Sequence, residues 1–489
     1  MFPRPTAPLL LTRSLTLLAS ACALSACTVG PDYAGAPQVA PDAAHASNFV
    51  RTPAVGIVST RAPSQWWLSL NDPQLNVLID AALAHNPDVH AAQARLREAR
   101  AQLQHQKANG MPNASFDAAA LRMREPNLSS LSSSQGSSSS SGGGPLQLYT
   151  AGFDATWEID LFGGTRRAVE AATAEADAVD ADLADTQVSL AAEVAQAYVD
   201  LRDEQQRLTL AQGSAEIEQQ MLTLTQQRRE HGTAADVDVE RLTTQVENTR
   251  STLTPLDEQV AESLDQLAVL TGQAPGALDQ ALSAQRQLPA LPASVAIGDP
   301  ASMLQQRPDI RAAERRLASS NAQIGEHKAD FFPKVTLFGD IGYTAADPGH
   351  LVRKNNFSWI GAPYLQWNIL DFGRTLSSVH SAEASRDEAD AKYTHTVLAA
   401  LQDANTSLSR YGHQREHLAT LQQVQASADR SATLMRQRYT AGTSSLIDLL
   451  DTQRTQFSAQ QNVVSGQAEL LKDFVSLQKS LGLGWRVQG

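Results

Sequence analysis

This chain contains long runs of helix-forming residues. Between them lie short stretches in which apolar and polar residues alternate. From Arg166 to Glu230 there is no proline and a single glycine, Gly213. At about 1.5 Å per residue such a helix would measure roughly 100 Å, which is longer than one globular domain needs. Apolar residues recur there at every seventh position, the period of a coiled coil: Val194, Leu201, Leu208, Ala215 and Leu222.

The stretches of alternating polarity predict β-strands. In residues 146–161 the apolar side chains share one face and the polar side chains share the other. A weaker alternation covers about 113–123, and two further strand candidates lie at about 334–343 and 357–369. The apolar face of the clearest strand carries Phe153, Ala155, Trp157, Ile159 and Leu161, and its polar face carries Asp154, Thr156, Glu158 and Asp160.

One segment of the chain occurs twice. Residues 157–165 and 367–375 share Trp, Ile, Phe, Gly and Thr in register, at an offset of 210 residues. In each copy a strand-like run ends at a glycine and a long helical run follows. Upstream, Pro112 recurs as Pro333 at an offset of 221. The offset changes between the paired strands, where only the first half carries a Ser/Gly-rich loop at 129–144. The pattern predicts two similar halves.

The two halves give a division of the chain into five parts. Residues 1–26 are a predicted signal peptide, 27–64 an extended tether, 65–296 the first repeat, 297–482 the second repeat and 483–489 a tail. Within the second long helix of the first repeat, Pro255 is expected to cause a kink or to mark a join. The first repeat has strands at about 113–123 and 146–161 and helices at about 166–230 and 236–271; the second has strands at about 334–343 and 357–369 and helices at about 374–440 and 445–481.

The N-terminus has the features of a bacterial export signal. Arg4 and Arg13 precede a short apolar region, which ends in Leu-Ser-Ala-Cys27. This ending resembles a lipobox, which implies cleavage before Cys27, a diacylglycerol on its thiol and an acyl chain on the new N-terminus. The residue after Cys27 is Thr28 and not an aspartate. By resemblance to bacterial lipoproteins, this favours sorting to the outer membrane. The alternative is a plain secretory signal with an incidental cysteine. Because Cys22 lies in the removed segment, the mature chain cannot form an internal disulfide.

Composition narrows the function. The net charge is −13 and no basic stripe occurs, so nucleic-acid binding is not expected. His413, Glu416 and His417 fit the H-x-x-E-H zinc pattern. They lie in the middle of a predicted coiled-coil helix, and the other half has Asp203 and Arg207 at the positions of the two histidines. We therefore expect no metal site, no catalytic residue and no enzymatic activity.

Four strands with an apolar face cannot close a membrane barrel alone, because a barrel must leave no strand edge unpaired. Three chains would supply twelve strands and a closed symmetric oligomer. A lipid-anchored coiled-coil protein that spaces layers of the cell envelope without conducting is the alternative. Such a spacer has no need of a membrane-facing sheet.

Residues 307–343 closely resemble the outer-membrane efflux ducts, also called outer membrane factors or TolC-like proteins. They read Arg-Pro-Asp-Ile-Arg-Ala-Ala-Glu-Arg-Arg-Leu, then Ala-Gln-Ile-Gly, then Phe-Phe-Pro-Lys-Val-Thr-Leu-Phe-Gly-Asp-Ile-Gly-Tyr. The lipobox, the segment Trp66-Trp67 to Leu75, and the Phe-Gly-(Gly/Arg)-Thr strand ends resemble the NodT-type lipoprotein branch. The resemblance covers nearly the whole mature chain.

This resemblance implies a mixed α/β membrane protein that is mostly α and forms a homotrimer. Four strands per chain would build one 12-stranded β-barrel in the outer membrane, continuing into a long periplasmic α-helical barrel. The protein would be the passive, gated exit duct of a tripartite efflux system. Its partners would be a periplasmic adaptor (membrane fusion) protein, an inner-membrane pump of the RND type and outer-membrane lipid. No cofactor is implied beyond the covalent lipid on Cys27.

The resemblance also places a periplasmic gate at two helix–turn–helix tips, residues 231–239 and 439–451. Asp448 and Asp451 match positions that form inward rings of carboxylates, which would favour cations in a narrow pore. Tyr439 and Asp238 match positions that hydrogen-bond across helices to latch the gate. The alternatives are that the two acids are solvated first-turn charges and that Tyr439 is a packing residue.

Two positions depart from the gate pattern of the family. Ser444 stands where some relatives carry an arginine, and Val237 where they carry a hydroxyl residue.

Overall fold

The computed structural model describes residues 28–44, 46–53, 55–123 and 146–485. The predicted signal peptide, Cys27 and the Ser/Gly-rich loop lie outside the described residues. The chain divides into two compact units. The first unit comprises 1–36, 98–176 and 315–390, and the second comprises 37–97, 177–314 and 391–489.

The helices and strands are numbered in chain order. The helices are α1 Pro41–Ala44, α2 Pro73–His85, α3 Pro87–Asn109, α4 Gly164–Glu230, α5 Asp236–Ser251, α6 Leu253–Leu270, α7 Asp279–Leu282, α8 Pro300–Gln306, α9 Pro308–Ala329, α10 Arg374–Thr440 and α11 Leu446–Ser480. The strands are β1 Ile57–Val58, β2 Asn113–Met123, β3 Leu146–Ile159, β4 Val295–Ala296, β5 Lys334–Ala345 and β6 Phe357–Gln366.

Several helix boundaries follow from local chemistry. Helices α2, α3, α8 and α9 each begin at a proline, whose missing N–H is not needed in a first turn. Asp72 caps α2, because its carboxylate accepts the N–H groups of Gln74 and Leu75 at 2.9 and 3.2 Å. The predicted helix over 236–271 is instead two helices, α5 and α6, with Thr252 between them. Pro255 lies in the first turn of α6, where a proline is tolerated.

The first unit contains an antiparallel sheet in the order β2-β3-β5-β6. Each hairpin, β2–β3 or β5–β6, belongs to one half of the chain, and the β3–β5 pair joins the two halves. Strands β2 and β6 are the two edges of this sheet. Strand β3 ends at Ile159, two residues before the predicted end. The chain turns there because the Asp160 carboxylate binds the N–H of Arg166 in the first turn of α4 at 2.9 Å.

The strand register separates the two faces of the sheet. One row of directly opposed residues is aromatic and apolar, and the next row, on the other face, carries two carboxylates. Phe116 and Trp359, which lie on the edge strands, are 61% and 74% exposed. The apolar row is Phe116, Phe153, Ile341 and Trp359, and the more polar row is Ser115, Asp154, Asp340 and Ile360.

The repeated tryptophan makes the same hydrogen bond in both halves. The indole Nε1 of Trp157 donates to the carbonyl oxygen of Gly110 at 3.1 Å. The indole of Trp367 donates to the carbonyl oxygen of Phe331 at 2.9 Å. The partners Gly110 and Phe331 are 221 residues apart, which is the offset of the upstream repeat. The indole therefore ties the end of each hairpin to a residue just beyond the preceding helix, one residue after α3 and two residues after α9.

Residues 27–64 are predicted to form an extended tether, but the described part of this segment is bound to the folded chain in both units. In the first unit the N–H of Val29 donates to the carbonyl of Phe162 at 3.1 Å, and the buried Arg167 binds Asp32 at 2.6 Å. In the second unit β1 pairs in parallel with β4, and Phe49 is buried. These contacts bind residues of the segment to the folded chain, because its backbone groups and side chains find partners there.

The second unit holds the C-terminal ends of α6 and α11, which are equivalent in the two halves. Gly272 and Gly482 have the same left-handed φ of 74°, which closes the C-termini of α6 and α11. The side chain of Asn86 donates to the carbonyl of Leu270 at 3.0 Å. Arg307 donates to the equivalent carbonyl, that of Ser480, at 2.7 Å. Different side chains thus cap the same helix end in the two halves.

We predict that Gly232 and Gly272, which have similar left-handed backbone conformations, differ in their tolerance to substitution. Gly232 and Gly272 have φ values of 71° and 74°. A Cβ at Gly232 meets open space, whereas a Cβ at Gly272 would overlap the carbonyl oxygen of His85. Gly232→Ala should lower the unfolding free energy by about 1–2 kcal/mol from the left-handed backbone alone. Gly272→Ala should lower it by a further ~1–3 kcal/mol.

Thermal denaturation of the purified protein in detergent, followed by circular dichroism, measures both variants against the wild type. Equal losses of stability would contradict the proposed close approach of Gly272 to His85.

Candidate functional site

The tips of two helical hairpins, α4–α5 and α10–α11, pack together in the second unit. Leu222 from α4, Leu242 and Val246 from α5 and Leu446 from α11 form a buried apolar cluster. Partly buried apolar side chains surround it: Met221, Val239, Tyr439 and Leu450. This cluster fixes the positions of the predicted gate residues on both hairpins.

Both turns have the same backbone construction. Gly232 and Gly442 share a φ of 71°. The N–H of Thr233 returns to the carbonyl of Arg228 at 2.8 Å, and the N–H of Thr443 returns to that of Arg438 at 2.9 Å. These six-to-one hydrogen bonds are the Schellman motif, which ends a helix where a glycine follows it.

Tyr439 is half-buried at the edge of the apolar cluster and contacts Arg228. Nη1 of Arg228 donates to the phenol oxygen at 3.1 Å, and the guanidinium carbon lies 5.9 Å from the ring centre. The carboxylate of Asp238 accepts the N–H of Ala235, at 3.4 Å, in its own hairpin. Within this chain, therefore, Tyr439 pairs with Arg228 across the hairpins, and the structure does not bring it together with Asp238.

Arg228 is a site residue that the sequence analysis missed. Gly232 marks the end of α4 in the sequence and so places Arg228 in the last turn. A positive charge there is stabilised by the helix dipole. The partner of Arg228 across the hairpins is 211 residues away. No local pattern could have identified that partner.

Asp448 caps the helix in which it lies. Its Oδ2 accepts the N–H and the hydroxyl of Ser445 at 3.2 and 2.7 Å, and its own N–H donates to the hydroxyl of Ser445 at 3.2 Å. This is a capping box. The hydrogen bonds from the Ser445 side chain and backbone lower the pKa of Asp448 below its ordinary value. The carboxylate is exposed, and these hydrogen bonds favour its ionised form.

Asp451 lies one turn further along α11. It is 64% exposed and binds Arg454, three residues on, at 2.7 Å. Leu446 and Leu449 are buried on the packed side of the same helix. Both acids thus lie away from the apolar cluster, on the side of the hairpin that this chain leaves open.

The internal repeat relates the two hairpin tips residue by residue. Asp238 and Asp448 are 210 residues apart, and each carboxylate accepts the backbone N–H three positions before it. Val237 and Ile447 are also equivalent and are 52% and 49% exposed. Ser444, one of the departures from the family pattern, has a buried hydroxyl oxygen that has no hydrogen-bond partner among the described residues.

The zinc-like pattern lies on the exposed side of a long helix. His413 Nδ1 and Glu416 Oε2 are 3.9 Å apart on the exposed side of α10. Across the described parts of the chain, no three His, Cys, Asp or Glu side chains are arranged to hold a metal ion.

Comparison with known proteins identifies the family. The sequence matches the outer membrane efflux protein family over residues 78–273 and 300–483. The chain belongs to this family. It is 32% identical over 487 residues to the antibiotic efflux pump outer membrane protein ArpC of Pseudomonas putida, covering 98% of this chain and 97% of that protein. It is 29% identical to nodulation protein T of Rhizobium leguminosarum bv. trifolii, covering 94% and 95% of the two chains.

Solved structures agree with this membership. The outer-membrane channel OprN is similar with a TM-score of 0.84 and 34% identity, over 94% of this chain and all of that one. The open state of the Neisseria gonorrhoeae MtrE outer membrane channel is similar with a TM-score of 0.79 and 26% identity, over 94% and 98% of the two chains.

The resemblance that the sequence indicated is confirmed. This outer membrane efflux protein lies in the outer membrane and extends into the periplasm, and its family is one of transport components. Among the described helices, none has both the length and the apolar character that a membrane crossing requires.

We predict that Arg228→Gln loosens the contact between the two hairpins, because it removes the charged donor to Tyr439. Amide hydrogen exchange should become faster in both turns, around residues 231–235 and 441–445. Arg229→Gln is the matched control, because Arg229 pairs with Asp236 inside its own hairpin. Faster exchange in both turns for Arg229→Gln alone would contradict this assignment.

Proposed function

We propose that this protein is the passive exit duct of a tripartite efflux system. The observation that carries the proposal is the open sheet of four strands. Neither β2 nor β6 has a second strand neighbour among the described residues. A spanning sheet in lipid must pair every backbone N–H and C=O group, so its edges must meet other chains. A trimer would close the sheet as a barrel of twelve strands. Closed rotational symmetry of this kind is usual for homo-oligomers.

The chemistry of the two sheet faces supports a barrel. The apolar face, with Phe116, Phe153, Ile341 and Trp359, suits the hydrocarbon of the membrane. The other face places Asp154 and Asp340 directly opposite each other, and such a pair of carboxylates requires water. We therefore assign the apolar face to lipid and the carboxylate face to the channel interior.

The long helices supply the periplasmic part of the duct. α4 and α10 contain 67 residues each. At about 1.5 Å per residue, each helix would measure roughly 100 Å. Helices of both halves from three chains would form a closed α-helical barrel. The duct itself would perform no chemistry, and the energy for transport would come from the pump.

The hairpin tips would form the gate at the inner end. Asp448 and Asp451 of three chains would make two carboxylate rings that attract cations and repel anions. Tyr439 with Arg228 would hold the two hairpins of one chain together, and Asp238 would stabilise the turn of its own hairpin rather than latch the two. Opening would separate the tips when the partner complex docks.

The partners would be a periplasmic adaptor and an inner-membrane pump, of the RND type. The support comes from relatives such as ArpC, whose name describes it as part of an antibiotic efflux pump. The exposed apolar residues Val237 and Ile447 at the two tips offer equivalent contact points for an adaptor. Lipid on Cys27 would anchor the N-terminus to the outer membrane, as the lipobox suggests.

We predict small, cation-selective conductance steps in a planar bilayer, with block by added divalent cations. Asp448→Asn/Asp451→Asn should lose both selectivity and block, because the proposed rings lose their charge. Glu240→Gln, which removes an exposed acid of α5 near the tip, is the matched control and should behave as the wild type.

If the double variant conducts and selects as the wild type does, the gate assignment is wrong although the duct stands. If folded wild-type protein neither inserts nor conducts, the lipid-anchored envelope spacer is the better description.

We predict that Cys27→Ser removes the lipid and leaves the signal segment uncleaved by the lipoprotein pathway. Mass spectrometry of the purified chain should show a diacylglycerol and an acyl chain on the wild type and neither on the variant. A wild-type mass that matches the unmodified polypeptide would contradict the lipoprotein assignment.

A further inference from the structure

The two halves of the sheet correspond residue by residue. Ala114 lies opposite Ala155 in the first hairpin, and Val335 lies opposite Leu365 in the second. These residues are related by the two sequence offsets, 221 for the first strand of each hairpin and 210 for the second. The tryptophan hydrogen bonds obey the same two offsets. A contact made by one half therefore indicates where its equivalent in the other half lies.

The seam between the halves has two parts within one chain. Strand β3 pairs with β5, with Ala155 opposite Gly339. Just beyond the strands, the ring of Phe162 stacks on that of Phe332, with centroids 4.6 Å apart and planes 18° apart. Phe162 lies after the end of β3, and Phe332 lies before the start of β5.

We infer that this seam recurs between two copies of the chain, with Phe372 of one copy packed on the partner subunit's Met111. The offsets relate Phe162 to Phe372 and Phe332 to Met111. The inference rests on the proposed trimer and adds a residue-level interface to it. The occupant of this surface is a second copy of the same chain.

Phe372 is exposed in a loop whose backbone is fixed by hydrogen bonds. Its side chain is 93% exposed and its backbone φ is +54°, a conformation that few residues other than glycine adopt. Asp371 fixes the loop, because its carboxylate accepts the N–H groups of Gly373 at 3.0 Å and Thr375 at 2.8 Å. Met111 is 67% exposed. Two large apolar side chains are thus left open where their equivalents, Phe162 and Phe332, are stacked.

The strand register gives a second pair of residues at the same seam. Applied to Ala155 and Gly339, the offsets place Leu365 opposite the partner subunit's Ala118. Both residues lie on the apolar face of the sheet, since Leu365 is opposite Val335 and Ala118 is opposite Ala151. A shift of one residue would place Leu365 opposite Asp117 or Ala119, which lie on the other face of the sheet.

The chemistry of the pair is favourable. A thioether packs well against an aromatic ring, and methionine adapts to irregular gaps. The other candidate occupant for Phe372 is membrane lipid, since aromatic residues line the edges of transmembrane barrels. The protein partner is favoured because Phe162, at the equivalent strand end, is stacked on protein.

Cysteine crosslinking in the full-length protein tests the contact. The sequence contains only Cys22 and Cys27, which fall in the predicted signal peptide and at the predicted lipid site, so background thiols are few. Met111→Cys/Phe372→Cys, treated with a short thiol-specific crosslinker, should give bands of two and three chains on a denaturing gel. Phe162→Cys/Phe332→Cys is the matched control and should crosslink only within a chain. Each single cysteine should leave monomers.

A second pair separates the contact from the proposed trimer. Ala118→Cys/Leu365→Cys should also give bands of two and three chains, because directly opposed strand residues have Cβ atoms about 5 Å apart. If this pair crosslinks and the 111/372 pair does not, the Phe372 contact is overturned while the ring and its register stand. If neither pair crosslinks although the wild type runs as a trimer, both contact and register are overturned. If no oligomer forms, the proposed function itself fails.

Substitutions without cysteine give an independent readout. Met111→Phe would make the seam between chains match the one within the chain, and it should raise the temperature at which the trimer dissociates. Met111→Ala should lower that temperature. If neither substitution shifts it, the proposed contact is overturned; a rise with phenylalanine and a fall with alanine support it.

Discussion

The structure depends on how the backbone hydrogen bonds of the strand edges are satisfied. In hydrocarbon an unpaired N–H or C=O group has no water to replace its partner, and each such group costs several kcal/mol. A sheet that ends at β2 and β6 leaves two rows of these groups open. The proposed closure by other chains would remove the edges without adding a strand to any one chain. Because the two halves are duplicates, one kind of strand junction can form both within a chain and between chains.

The duplicated halves keep backbone contacts more faithfully than side-chain chemistry. Trp157 and Trp367 retain the same indole hydrogen bond to a carbonyl. At the helix ends, Asn86 and Arg307 reach equivalent carbonyl oxygens although one side chain is an amide and the other is a cation. A carbonyl at a helix C-terminus needs a donor of some kind, and many side chains can provide one. The requirement of the backbone persists after the residue has changed.

Much of the fold could be predicted from the sequence, because it depends on local patterns. The run without proline before Glu230 and the alternation around Phe153 identify a long helix and a strand from nearest neighbours alone. Contacts between distant segments could not be predicted in this way. The contacts of residues 28–36 with the rest of the first unit are made to residues remote in sequence, Phe162, Arg167 and Asn321, which give no local signal. The break at Thr252 was foreseen only as a kink or a join at Pro255.

The candidate site shows the same division. Family resemblance indicated Tyr439, Asp448 and the turns, because these lie in a continuous motif. It did not indicate Arg228 or the capping role of Ser445. Arg228 is a distant contact, and the Ser445 hydroxyl acts through a geometry that only the folded turn defines.

The cap at Asp448 links the charge of the tip to the integrity of the helix that carries it. Because hydrogen bonds from Ser445 lower the pKa of this carboxylate, its stabilising effect is present above the pKa of the unfolded chain and is lost as the pH falls through the folded value. The proton that would remove a charge from the proposed ring would also release the first turn of α11. Acid would therefore alter ion preference and local order in one event, and evolution could not adjust either property at this position without affecting the other.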